Sequence, residues 1–184
     1  MRGNAVAAAL IAAAALWFGI VAIAAEDAQE GAFERKLVRV AEPFAPPVNP
    51  IAQAAGRESG LAAHKGKVVV AVFWATWCPI CLKEMPVLDE LAVEMGPEGV
   101  VVLPLSVDDG DAEAKVTAYY EQHLLENLPV AVDIGGVTAG MMGLRGTPTA
   151  FILNKEGLVV GAIEGDGHWD SDAARAYLRA LLAE

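Results

Sequence analysis

The chain has 184 residues, 55% of them hydrophobic and 20% charged, with a formal net charge of −11. That is one domain of ordinary size with enough apolar material for a core, and the acidic balance excludes the basic footprint that nucleic-acid binding needs. Two cysteines are too few for a structural zinc site, and His64, His123 and His168 stand at no ligand spacing from them, so neither metal nor cofactor is expected.

Arg2 gives a short positive start, and residues 5–25 then run without a charge. About 20 apolar residues suffice to cross a bilayer. Ala22-Ile23-Ala24 also fits a signal cleavage site. Residues 1–25 therefore read as an inner-membrane anchor or as a cleaved signal, with a buried soluble helix as the remaining alternative. Either of the first two delivers the domain to the periplasm. Residues 26–50 mix charges with Pro43, Pro46, Pro47 and Pro50 and read as a Pro-rich tether. Phe33, Leu37, Val38 and Val40 give it the means to dock as a short edge strand. The folded domain is expected over 51–184.

Val68 to Trp74 is a solid apolar run rich in β-branched residues, the pattern of a strand buried on both faces. From Cys78 to Met95 apolar residues recur at helical spacing, with Pro86 expected to kink the helix and Gly96-Pro97 to end it. Val100 to Val107 reads as a strand interrupted by Pro104. Asp111 to Leu125 reads as a helix, Leu128 to Val132 as a short strand, and Gly135 to Met142 as a short helix. Thr149 to Leu153 and Leu158 to Ile163 read as a hairpin turning at Asn154–Gly157. Asp170 or Ser171 can cap a last helix over Ala173 to Leu182, with Trp169 placed to staple its start. Alternation first and a hairpin last predict an α/β fold: a central mixed sheet with helices on both faces.

Cys78 and Cys81 follow the first buried strand and open a helix. Residues i and i+3 share a helix face, with Cα atoms roughly 5–6 Å apart, within reach of a disulfide. The helix N-terminus offers free N–H groups and positive potential, which favour a thiolate at Cys78. Cys81 lies one turn deeper and is placed to resolve a mixed disulfide. Pro79 fits the first turn, which needs no N–H. A structural disulfide is the competing reading, but a loop this short closes little chain entropy.

Gly66–Val70, Phe73–Cys81, Lys83-Glu84-Met85-Pro86, Gly146–Thr149 and the strand–turn–strand Ala150–Ile163 together resemble the thioredoxin superfamily, within it the periplasmic TlpA/ResA/CcmG-type branch. The ending Gly165–Asp170 looks most like the TlpA type. The resemblance covers residues 51–184 and implies a thioredoxin-like fold with a helix–strand insertion over Asp108–Gly140. It implies a thiol–disulfide oxidoreductase and a Cys78–Cys81 disulfide. It also implies a cis Thr147–Pro148 bond facing the cysteines, and substrate contacts from Trp77, Pro79, Ile80, Thr147 and Pro148. The buried acid of thioredoxin is replaced here by Val72, while Glu84 matches an acidic residue of ResA-like proteins and is a candidate base or pKa modulator. Trp74 and the pair Met141-Met142 read as packing residues.

The partners so implied are disulfide- or dithiol-bearing envelope proteins, in cytochrome maturation or copper-oxidase assembly, with a membrane electron donor if the protein is a reductase. An oxidant or isomerase of the same fold is the alternative, and a copper-binding chaperone a weaker one. The Pro-x-x-x-Thr-x-x-Cys pattern of thiol peroxidases is absent at both cysteines.

Overall fold

The computed structural model describes residues 31–49, 51–53 and 57–184. The expected anchor or signal over 5–25 lies outside the described residues.

Among the described residues an eight-stranded mixed sheet runs in the order β1 (Val38–Phe44), β8 (Val159–Glu164), β7 (Thr149–Leu153), β4 (Val68–Trp74), β5 (Val100–Ser106), β6 (Ala131–Val132), β2 (Ile51–Gln53) and β3 (Arg57–Ser59). Its centre is β4 (Val68–Trp74), seven buried residues in a row. β4 pairs parallel with β5 (Val100–Ser106) and antiparallel with β7 (Thr149–Leu153), so both edges of the run are covered. β8 (Val159–Glu164) returns beside β7 through the expected turn, and β6 (Ala131–Val132) extends β5 in parallel. Alternate residues of β4 serve two cores. Val68, Val70, Val72 and Trp74 pack with α2 (Pro79–Met95), α3 (Ala112–His123) and α5 (Asp172–Ala183). Val69, Ala71 and Phe73 pack beneath the 3-10 turn Leu61–His64 and the short helix α4 (Val137–Met141). The insertion after β5 supplies α3, β6, the 3-10 turn Ile134–Gly136 and α4.

Three expectations need correction. The stretch read as a tether contributes structure: a helix α1 over 31–36, with Phe33 in the core, and β1 (Val38–Phe44), which pairs antiparallel with β8. The docking strand allowed for there is therefore an edge of the main sheet, and the ordered domain starts before residue 51. Second, β2 (Ile51–Gln53) and β3 (Arg57–Ser59) form an unforeseen antiparallel pair beyond β6; three-residue strands leave no periodicity to read. Third, Pro104 does not interrupt β5. β6 pairs with β5 at Ser106↔Val132, so among the described residues the outer edge of β5 at Pro104 has no strand partner to lose.

Helix α2 runs through Pro86 without a break. A proline there has no N–H for the carbonyl of Leu82. The Tyr119 hydroxyl of α3 donates to that carbonyl at 3.1 Å instead.

Candidate active site

The turn between β4 and α2 sets the site. Cys78 is the N-cap of α2, and its backbone N–H donates to the Ala75 carbonyl. Pro79 occupies the first helical position, as expected. The Cys81 N–H donates to Cys78 Sγ at 3.3 Å, one of the free helix-start donors turned onto the sulfur. The two sulfurs form a disulfide, with Cα atoms 5.3 Å apart. Cys78 is 5% exposed and Cys81 is fully buried, the order the spacing predicts. Beside them the Thr147–Pro148 bond is cis, and the Thr147 carbonyl oxygen lies 3.6 Å from Cys78 Sγ.

Around this disulfide the surface is apolar and open. Trp77 is 66% exposed and Ile80 is 53% exposed, and Pro79 is exposed between them. Large apolar side chains left in water beside the disulfide add nothing to the core. Pro148 is buried and Thr147 half-buried. Trp74 is fully buried and stacks on Tyr120, a core residue as expected. Val72 is buried on the face of β4 that meets α2, with no acid in its place.

The turn is braced by a residue the sequence did not single out. Asp108 is buried, and its Oδ2 accepts from the Thr76 N–H at 2.9 Å and the Ser106 hydroxyl at 2.8 Å. Its Oδ1 accepts from the Thr76 hydroxyl at 2.7 Å. Thr76 precedes Trp77 and Cys78, so this carboxylate fixes the approach of the chain to the disulfide. An acid two residues past a strand aligned with β4 is the signal that marks it.

Glu84 is not a solvated helix residue. It is 4% exposed, on the turn of α2 after Cys81. Its Oε1 accepts from the Gly167 N–H at 2.8 Å and the Trp169 indole N–H at 2.7 Å. Its Oε2 has no hydrogen-bond partner among the described residues. Burial pushes its pKa up to about 7, against the Gly167 and Trp169 hydrogen bonds and the Lys36 charge, which lower it; Asp166 adds to the rise. Trp169, expected to staple the start of α5, is buried in the same core cluster as Ala174 and Leu178 of that helix and also donates to Glu84, while Ser171 caps the helix through the Ala174 N–H.

A conserved-family model for AhpC/TSA proteins matches residues 41–162, which is most of the chain and nearly all of the sheet. The chain belongs to the AhpC/TSA family. Within that family, ResA thiol-disulfide oxidoreductase of Bacillus thuringiensis subsp. konkukian is 37% identical over 111 residues, 60% of this chain and 62% of the relative. The chain thus spans less than two thirds of the length of that curated relative. The crystal structure of the pneumococcal exposed lipoprotein thioredoxin Etrx1 from Streptococcus pneumoniae superposes with a TM-score of 0.61 at 32% identity, over 76% of this chain and 99% of that one. A Chlorobium tepidum protein described as thiol:disulfide interchange protein DsbE gives 0.66 at 23% identity, over 78% and 99%. The fold is thioredoxin-like, and the matched residues include the strand–turn–helix that holds Cys78 and Cys81.

Proposed function

We propose that the protein is an envelope-facing thiol–disulfide oxidoreductase that works through the Cys78–Cys81 pair, in the direction of a dithiol reductase of envelope proteins. The observation that carries this reading is the disulfide at the start of α2, with a helix N–H on Cys78 Sγ and an open apolar rim of Trp77 and Ile80.

In the reduced protein the Cys78 thiolate, held by the Cys81 N–H and the helix start, attacks a substrate disulfide. The substrate S–S bond breaks, one substrate sulfur leaves as a thiolate and takes a proton, and a mixed disulfide forms on Cys78. Cys81 then loses its proton, and its sulfur attacks Cys78 Sγ. The mixed bond breaks and the second substrate sulfur leaves. The substrate gains two electrons and the pair ends as the disulfide. Glu84, one turn beyond Cys81 with a pKa near neutrality, is suited to take the Cys81 proton. The backbone at Thr147 offers an extended substrate a strand-like partner.

The reductase direction rests on the ResA relative and on Val72 and Glu84. Cytochrome maturation or copper-oxidase assembly is the substrate setting the family resemblance supplies, with a membrane electron donor to re-reduce the pair. Periplasmic delivery rests on residues 5–25, as inner-membrane anchor or cleaved signal; among the described residues no helix is long and apolar enough to cross a membrane. A Cys81→Ala variant expressed in cells should accumulate mixed disulfides through Cys78 that a reductant releases. Labelled protein from which no partner is released would defeat the reading.

A further inference from the structure

The Glu84 carboxyl is bound unevenly, and the unevenness has a chemical consequence. The Trp169 indole N–H and the Gly167 N–H are both pure donors, and both are aimed at Oε1. A proton on Oε1 would point into two donors, so the proton of the neutral acid belongs on Oε2. That oxygen is buried and has no hydrogen-bond partner among the described residues. Glu84 lies three residues after Cys81, on the same helix face.

We propose that Trp169 is a positioning residue for disulfide exchange: its indole N–H holds Glu84 by Oε1 and so makes Oε2 the atom that passes the proton to and from Cys81. The inference rests on the oxidoreductase reading given above. When a reducing thiolate attacks Cys78 Sγ, a mixed disulfide forms as the Cys78–Cys81 bond breaks, and Cys81 leaves as a thiolate that takes the proton from Oε2; a second thiol of the reductant then displaces Cys78, and the reductant ends as the disulfide. When it re-forms, Oε2 takes the proton back.

The indole is held firmly enough for this role. Trp169 is buried, edge-on to Phe33 at 5.7 Å between ring centroids. Gly167 passes so close that an added Cβ would sit 2.3 Å from the indole Nε1, which only glycine avoids. The start of the loop is tied twice: the Gly165 N–H donates to the Pro148 carbonyl at 2.8 Å, and Lys36 Nζ of α1 donates to the Asp166 carbonyl at 2.7 Å. The charged groups that face Glu84 are Asp166 from this loop and Lys36 from α1; the cysteines of its own helix carry no charge as a disulfide.

The test follows the Glu84 carboxyl by carbon NMR through a pH titration of the disulfide form, beside the pH profile of the rate at which glutathione reduces Cys78–Cys81. Trp169→Phe keeps a ring against Phe33 and removes the donor. It should raise the Glu84 midpoint by about one pH unit and move the inflection of the rate profile with it. Lys36→Met, at a half-exposed site that folding tolerates, should raise both by less, and Glu84→Gln should erase the inflection. Midpoints unmoved in Trp169→Phe and Lys36→Met would overturn the inference. So would a moved midpoint with an unmoved rate profile, which leaves the oxidoreductase reading intact. A wild-type disulfide that glutathione does not reduce would remove that reading and the inference together.

Discussion

One buried carboxylate, Asp108, binds the turn that leads into Cys78, another, Glu84, stands one helical turn beyond Cys81, and they are bound in opposite ways. Asp108 spreads three donors over both oxygens, and every one of those donors belongs to β5 or to the turn that leads into Cys78. Glu84 takes two donors on one oxygen, and among the described residues its other oxygen has no hydrogen-bond partner. The first arrangement fixes a backbone. The second leaves a buried carboxyl oxygen one helical turn beyond Cys81, and burial, with Asp166 adding to it, brings the group up to about 7 against the hydrogen bonds and the Lys36 charge. The difference separates an acid that builds the site from one suited to take part in its chemistry.

The comparison breaks most visibly at Asp108. Asp108→Ala would take the acceptor from the half-buried Thr76 N–H and hydroxyl and from the buried Ser106 hydroxyl, and should destabilise the protein by about 2–3 kcal/mol in chemical denaturation. A loss below about 1 kcal/mol would mean that the turn holds itself.

Glu84→Gln should act in the other direction, and only at higher pH. An acid whose pKa is raised on folding, here from 4.5 to about 7, binds more protons folded than unfolded. Its contribution to stability therefore falls as pH rises from about 4.5 through about 7. Glu84→Gln should remove that fall, leaving the variant more stable than wild type by up to about 3 kcal/mol above the window and little changed below it. Parallel stability–pH curves for the two proteins would contradict the raised pKa.

The smallest effect is on redox potential. Above about pH 7 the Glu84 carboxylate disfavours a second negative charge and should hold the thiol pKa values up. Glu84→Gln should then shift the potential upward by tens of millivolts, where about 30 mV corresponds to about 1.4 kcal/mol. Well below that pH, where Glu84 is neutral, the two potentials should converge. A shift of equal size on both sides would assign it to shape rather than charge.

What could be read from the sequence follows the range of the interaction. The buried run of β4, the cap at Cys78, Pro79 at the helix start and the turn at Asn154–Gly157 are set by residues a few positions apart, and each was legible. The cis bond before Pro148 came from family resemblance, since nothing local in Thr147-Pro148 distinguishes it. The bond from Trp169 to Glu84 has no local signal, because the two lie 85 residues apart. Asp108 and Thr76 are likewise joined across 32 residues, by the alignment of β4 with β5. β1 was only half visible, because proline and charge mark an exposed edge strand as readily as a tether.

The central claim is that Cys78 and Cys81 cycle between disulfide and dithiol. A redox titration in graded dithiothreitol and glutathione buffers, quenched by alkylation and read by mass, tests it directly. The account predicts one two-electron transition in which both cysteines change state together, at a potential nearer thioredoxin's about −270 mV than DsbA's about −120 mV. A pair that stays oxidised at every poise above about −300 mV would be a structural disulfide, and would contradict it.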